Sequence, residues 1–253
     1  MKRLFTAATV ALLTTFGAGA AQAAEGAAIP DHEFSFEGIF GTFDRAAAQR
    51  GLQVYNQVCA SCHSLKYVAF RTLGDLGYEP EQVEALAAQY QVTDGPNDQG
   101  EMYQREAKAS DAFPSPFPND AAARAANGGA LPPDLSVITQ ARPNGPDYLH
   151  ALLTGYEEAP ADADLPPGQY WNTAFPGHQI AMPPPLSEGI VEYQDGTEAT
   201  VSQMAHDVTV FLHWAAEPHM EARKRGGIGV VLFLLIFTGM LYAVKRKVWR
   251  DLH

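Results

Sequence analysis

The chain has 253 residues, 46% of them hydrophobic, and a formal net charge of -12. That length holds one substantial domain, or two small ones, together with targeting or membrane segments. Between residues 24 and 220 there are 27 Asp and Glu against 8 Lys and Arg, and so acidic a body excludes nucleic acid as a partner, repels anionic membrane surfaces and suits a basic protein.

In chain order, the first 24 residues carry Lys2 and Arg3, a mostly apolar run over 4–19 and the small-x-small pattern Ala21-Gln22-Ala23. This is the composition of a cleaved export signal, and the mature chain is expected to begin near Ala24 or Glu25. The apolar segment FSFEGIFGTF follows. Asp44 then predicts the N-cap of a helix through RAAAQRGLQVYNQVC, where Leu52, Val54, Tyr55 and Val58 give an apolar face despite Gly51. A second helix is expected over 80–90, with proline in its first turn. A short alanine-rich helix starts at Asn119 and stops at Gly128 and Gly129, and another runs from Pro146 to around Gly155. A last soluble helix is expected from Val201 to about Trp214. Residues 92–100, 111–118, 130–146 and 157–189 read as Pro- and Gly-rich connectors, and the one expected hairpin lies around Asp195-Gly196. Residues 227–244 carry no charge and, as a helix, span about 27 Å, close to the hydrocarbon thickness of a bilayer. Arg223, Lys224 and Arg225 precede this run, and Lys245, Arg246, Lys247 and Arg250 follow it. Flanks so even do not orient the span, but a cleaved export signal does, by placing the N-terminal body outside. The expected organisation is a signal peptide over 1–24, an exported domain over 25–220, an anchor over 221–246 and an inner tail over 247–253.

A few helices joined by long loops need an internal organiser. Only two cysteines occur, Cys59 and Cys62, and His63 follows directly in CASCH. CxxCH is the attachment signal for a c-type haem: the thiols add across the porphyrin vinyl groups, and the adjacent imidazole is aimed at the iron. A thioredoxin-like CxxC would follow a strand in a βαβ unit, whereas these cysteines end a helical segment. A zinc site would need a second ligand pair at matching spacing. The candidates for a sixth iron ligand are Met102, Met182, Met204, Met220, His150, His178, His206, His213 and His219. Met204, Met220, His206, His213 and His219 fall on or beside the last soluble helix, and His150 within a predicted helix, where packing or surface roles are the ordinary expectation. Met182, in HQIAMPPPL, sits on a segment stiffened by three prolines and presents its sulfur at little cost in ordering entropy. His178, four residues earlier, is its rival. A His/Met pair raises the reduction potential and points to electron transfer; a bis-histidine pair lowers it.

The ordered set FSFEGIFGTFDRAAAQRGLQVYNQVCASCHSLKYVAFR, AAARAANGGALPPDLS, DYLHALLTGYEE, AMPPPL and DVTVFLHWAAEPHMEARKR, followed by the apolar run, resembles the cytochrome c1 family in its bacterial form. These are the membrane-anchored haem subunits of cytochrome bc1 complexes (ubiquinol:cytochrome c oxidoreductases). The resemblance implies a mainly α, class I cytochrome c-like haem domain with long loops, plus one C-terminal transmembrane helix. It implies one covalently attached haem c, with Cys59 and Cys62 as thioether attachments, His63 as proximal and Met182 as distal ligand. Arg142 and Tyr148 would contact the haem propionates, Asn127 would add a hydrogen bond there, and the Leu131-Pro132-Pro133 segment would pack on the proximal side, with a carbonyl accepting the second His63 ring N–H. The protein so implied is not an enzyme on its own. It passes an electron from a Rieske iron-sulfur protein to a soluble c-type cytochrome, within a proton-translocating, dimeric respiratory or photosynthetic complex with cytochrome b. Its place is the bacterial inner membrane, as a single-pass chain in contact with lipid, with the haem domain on the periplasmic side. The alternatives are an independent membrane-anchored electron shuttle, and a haem enzyme or gas sensor with an open iron. Some bacterial relatives staple the loop before the methionine with a disulfide; this chain has no cysteine to spare, which leaves open how 157–180 is made rigid. Two acidic clusters, one over 79–106 and one of Glu157, Glu158, Asp162 and Asp164, are candidate docking faces for a basic cytochrome c.

Overall fold

The computed structural model describes residues 28–250, so the expected export signal lies outside the described residues. The architecture is mainly α with long loops, as expected. Helix α1 (Arg45–Gln57) starts where the Asp44 carboxylate accepts the N–H groups of Ala46 and Ala47, satisfying two donors that a helix start leaves orphaned. It packs along α5 (Val201–Ala216), which is capped by the Thr200 side chain. Gly51 marks their closest approach: a Cβ there would overlap the carbonyl of Asp207 and the Cβ of Phe211. The helix penalty of a glycine, about 1 kcal/mol, is offset by the contact it permits. Beside the crossing, Arg50 Nε and Nη2 donate to the two carboxylate oxygens of Asp207 at 2.9 and 3.0 Å, and Nη1 reaches Asp195 at 2.9 Å. The Asp207 side chain is wholly buried, and a buried carboxylate is tolerated because it is paired in both of its oxygens.

Helix α2 (Pro80–Ala87) is shorter than expected. The chain leaves it to form β1 (Gln91–Asp94), which pairs antiparallel with β2 (Tyr103–Glu106), and Tyr90 is held outside the helix by its hydroxyl donating to Asn56 Oδ1 at 2.7 Å. Helix α3 (Asp120–Ala126) is capped by Asn119, and α4 (Gly145–Thr154) packs on α5. A second small hairpin joins β3 (Tyr170–Trp171) to β4 (Gln179–Ile180). Both hairpins fall largely in segments that read as connectors. The hairpin expected around Asp195-Gly196 does not form. There the Asp195 carboxylate accepts the Thr197 N–H and an Arg50 donor, and Gln53 donates to the Glu192 carbonyl at 2.7 Å. This segment is therefore fastened to α1 rather than to a partner strand.

Helix α6 (Met220–Trp249) begins just beyond Glu217, Pro218 and His219. Its 30 residues include a window of mean hydropathy 2.4 with none of it buried, long and apolar enough to cross a membrane. Its first turns are fastened to the domain. Glu221 accepts the Phe43 N–H at 2.8 Å and two Arg45 donors at 2.7 and 3.0 Å. Lys224 Nζ donates to the carbonyls of Phe36 and Gly41.

Candidate functional site

Helix α1 runs out at Val58 into a single 3-10 turn, Cys59–Ser61, closed by the Cys62 N–H donating to the Cys59 carbonyl at 3.1 Å, to which the His63 N–H also donates at 2.9 Å. That turn puts Cys59, Cys62 and His63 on the wall of a cavity of about 680 Å³, lined otherwise by Asn127, Leu131, Pro133, Arg142, α4 residues Tyr148, Leu149 and Leu152, the Met182 segment, and α5 residues Val208 and Leu212. All eight residues singled out from the sequence line this one cavity, which is mostly apolar with a few convergent polar groups, the character of a cofactor site.

The His63 ring is fixed by a 2.7 Å contact from Nδ1 to the Pro133 carbonyl. A carbonyl only accepts, so Nδ1 carries the proton and Nε2 keeps a free lone pair. Burial pushes the imidazole below its ordinary range, with the Pro133 contact and Asp134 opposing, and a neutral imidazole is the form that binds a metal. The Pro133 carbonyl is in turn positioned by Asp134. Its carboxylate accepts from Ser64 Oγ at 2.7 Å and from the N–H groups of Lys66 and Ser136 at 3.0 Å each, tying the strand of chain after His63 to the 131–136 loop. Against desolvation, these hydrogen bonds hold the Asp134 carboxyl below the usual carboxylate range. Tyr55, buried in the core, donates its hydroxyl to the His63 carbonyl at 3.0 Å.

Desolvation and the neighbouring Cys62 push the Cys59 thiol up to about 12. A redox-active or zinc-binding cysteine has its thiolate favoured instead, whereas burial here favours the Cys59 thiol. A pair of thiols beside an imidazole with a free Nε2 suits thioether attachment of a haem.

Met182 follows β4 and precedes Pro183, Pro184 and Pro185. Its carbonyl accepts the Tyr156 hydroxyl at 3.1 Å. The loop before it is organised by Asn172, wholly buried, whose Nδ2 donates to the Leu152 carbonyl at 2.8 Å while Oδ1 accepts the N–H groups of Ala174 and Phe175 at 3.0 Å each. A backbone bridge between Tyr156 and Asn172 completes the tie to the end of α4. These polar bonds supply the rigidity that the chain has no disulfide to give.

The other candidates for a sixth ligand are engaged elsewhere. His178, at φ 61°, is drawn into the β3–β4 turn, its Nδ1 at 3.1 Å from the Asn172 carbonyl and its ring stacked on Trp171 at 5.0 Å; it is not on the cavity wall. His150 stacks on His32 at 3.8 Å, and His32 Nε2 meets His206 Nδ1 at 2.9 Å. His213 contacts Thr139 Oγ1 at 3.1 Å, Met204 and Met220 are core residues, and Met102 is exposed.

At the polar part of the cavity, Tyr148 is raised by burial, an effect that Arg142 beside it partly offsets; it stays a protonated donor. Arg142 spends one N–H on the Ala141 carbonyl at 3.1 Å and another on the Tyr148 hydroxyl, with further donors of its fork to spare. Asn127 caps α3, donating to the Ala123 carbonyl at 2.7 Å, with its second N–H left for a ligand. Two neutral donors and a guanidinium match a pair of carboxylates. Sequence reasoning passed over Asp134, Tyr156 and Asn172. Asp134 has a local signal, an Asp two residues before Ser136 in an Asx turn; the partners of the other two are distant in sequence.

The chain matches the model of the Cytochrome C1 family over residues 34–252. It is 54% identical to a cytochrome b/c1 of Bradyrhizobium diazoefficiens over an alignment of 246 residues that covers 88% of this chain and 36% of that protein's length. It is 44% identical to a cytochrome c1 of Rhodospirillum rubrum over 268 residues, covering 99% of this chain and 97% of the relative. A mitochondrial cytochrome c1-2 heme protein of Solanum tuberosum is 52% identical over 232 residues, 92% of this chain and 89% of the relative.

Proposed function

The chain belongs to the cytochrome c1 family, and from that premise we propose that it carries one covalent haem c and relays electrons from a Rieske iron-sulfur protein to a soluble c-type cytochrome within a cytochrome bc1 complex. The observation that carries the reading is the convergence of Cys59, Cys62, His63 and Met182 on one apolar cavity, with the His63 ring already oriented by Pro133. Bound there, the haem supplies one-electron chemistry at a potential that a His/Met pair raises. The residues supply its setting. Cys59 and Cys62 would hold the group through two thioethers, and His63 Nε2 and the Met182 sulfur would be its iron ligands. Arg142, Tyr148 and Asn127 would donate to the propionates, whose burial without partners would be costly. Tyr156 and Asn172 keep the Met182 segment from swinging away, and the apolar wall keeps water from the ligands, which tunes the potential.

On this reading the chain makes and breaks no substrate bonds and is catalytic only as part of the complex. Residues 1–24 direct export, 25–220 form the haem domain on the periplasmic side of the bacterial inner membrane, 221–246 anchor it, and 247–253 remain inside. The Bradyrhizobium relative named for both b and c1, matched here over 36% of its length, supports cytochrome b as the permanent partner, in a dimeric complex. The acidic surface suits a basic, soluble cytochrome that must dock and leave quickly.

Purification of the tagged chain from its native membranes in mild detergent, followed by reduced-minus-oxidised spectra and subunit identification, tests the reading. A b-type haem and an iron-sulfur protein accompanying the c-type signal are expected. A c-type signal alone, under conditions that preserve membrane complexes, would replace it with the independent shuttle.

A further inference from the structure

A small apolar projection stands beside the root of α6. Ile39 and Phe40 are 69% and 82% exposed, although Phe36 and Phe43 on either side of them are 4% and 5% exposed. The loop that carries them is not slack. The Thr42 N–H donates to the Ser35 carbonyl at 3.0 Å and the Glu37 N–H to the Phe34 carbonyl at 3.1 Å. Gly38, at φ 67°, makes the turn, and a Cβ at Gly41 would overlap the carbonyl of Glu37. The Lys224 ammonium closes the neck through the carbonyls of Phe36 and Gly41, and the Phe43 N–H and Arg45 grip Glu221 one turn earlier on the same helix. The loop neck is therefore held at the level of Lys224, which lies two residues, or about 3 Å along the helix axis, before the uncharged run begins at Gly226.

We propose that Ile39 and Phe40 insert into the lipid headgroup region as a second membrane contact beside α6, so that the domain meets the bilayer at two points. The inference rests on the reading of α6 as a membrane span. Two apolar side chains at the level where a span enters the bilayer suit shallow interfacial insertion, and Arg225, one residue beyond Lys224, suits a headgroup phosphate. A protein partner is disfavoured by size, because a stable interface covers about 800 Å² on each side and the exposed apolar tip is two residues wide. Glu37 is the opposing charge. Desolvation, with Asp147 and Asp31 nearby, raises its carboxyl above the ordinary carboxylate value.

The test places a nitroxide on a Phe40→Cys variant of the full chain, kept in its native complex in lipid nanodiscs, and compares collision with dissolved oxygen, which concentrates in lipid, and with a water-soluble nickel chelate. Phe233→Cys and Leu235→Cys, on nearly opposite faces of α6, report the span; Met102→Cys reports exposed surface. The expected result is oxygen access several-fold above nickel access at position 40, resembling whichever α6 position faces lipid. Nickel access equal to that at position 102 overturns the proposal, and so does shielding from both probes, which means that protein covers the tip. Ile39→Cys repeats the measurement from the neighbouring exposed position. If both α6 positions are open to nickel, it is the span reading that has failed, and the proposal falls with it.

Discussion

Asn172 offers the sharpest test of how Met182, the proposed distal ligand, is held. Its side chain makes three hydrogen bonds, to the Leu152 carbonyl and from the Ala174 and Phe175 N–H groups, in a site with no solvent exposure. Asn172→Ala removes all three and leaves one carbonyl and two N–H groups buried without that partner. At a net value of about 1 kcal/mol per bond the loss is about 3 kcal/mol, and the desolvation of the orphaned groups carries it toward 6 kcal/mol. For a domain of this size, 3 kcal/mol lowers the melting temperature by about 6–12 °C. Because the same residue anchors the loop leading to Met182, the reduced variant should also bind carbon monoxide, which the parent should resist. Asn172→Asp keeps the acceptor for Ala174 and Phe175 but loses the donor to Leu152, and should fall between parent and alanine variant in both measurements. A melting temperature within 2 °C of the parent (about 1 kcal/mol), with no carbon monoxide binding, would refute the assignment of loop rigidity to this side chain.

Met182→Ala should leave the fold intact, lower the midpoint potential and admit carbon monoxide to the reduced protein; an unchanged potential in a redox titration would remove Met182 from the iron. Asp207→Ala strands the mostly buried Arg50, which keeps only Asp195, and should cost about 3 kcal/mol in urea unfolding; a loss below about 1 kcal/mol would mean that the pair contributes little beyond its desolvation cost. His150 is pushed down to about 4 by burial, with His32 and His206 beside it, from an ordinary value of 6.5. The unfolded chain therefore binds a proton that the native state refuses, and stability should fall as pH drops from about 6.5 toward about 4. His206, also lowered by burial, adds to the same slope. His150→Phe should flatten the pH dependence of the urea midpoint, and an unchanged slope would count against this origin.

What was legible in the sequence was local. The Asp44 and Asn119 caps are read from side chains within three residues of the N–H groups that donate to them, and CxxCH is itself a spacing. The small hairpins escaped notice because β1 and β2 are four residues each and mostly exposed or half-exposed, while β3 and β4 are two residues each, too short for an alternating pattern. The Asp-Gly pair at 195–196 misled for a related reason: an Asx turn has the composition of a hairpin turn, and the choice was made by Arg50, which is 145 residues away. Gly51 reads as a weakness in α1 until α5 lies across it. The eight residues that line the cavity were nameable because a motif and a resemblance pointed to them. Their supports, Asp134, Tyr156 and Asn172, act through backbone carbonyls and N–H groups, and which backbone group will be nearby is a property of the folded chain.

The junction between α5 and α6 has a mechanical meaning. Three residues separate the two helices, and the Glu221 and Lys224 contacts stiffen the corner from the other side. A domain joined to its stem in this way behaves as a post, not as a pendulum: the height and heading of its cavity are set by backbone geometry instead of by the sweep of a tether. Such a post cannot lean toward a donor and then toward an acceptor. In any relay that includes it, the travelling has to be done by the carriers on either side.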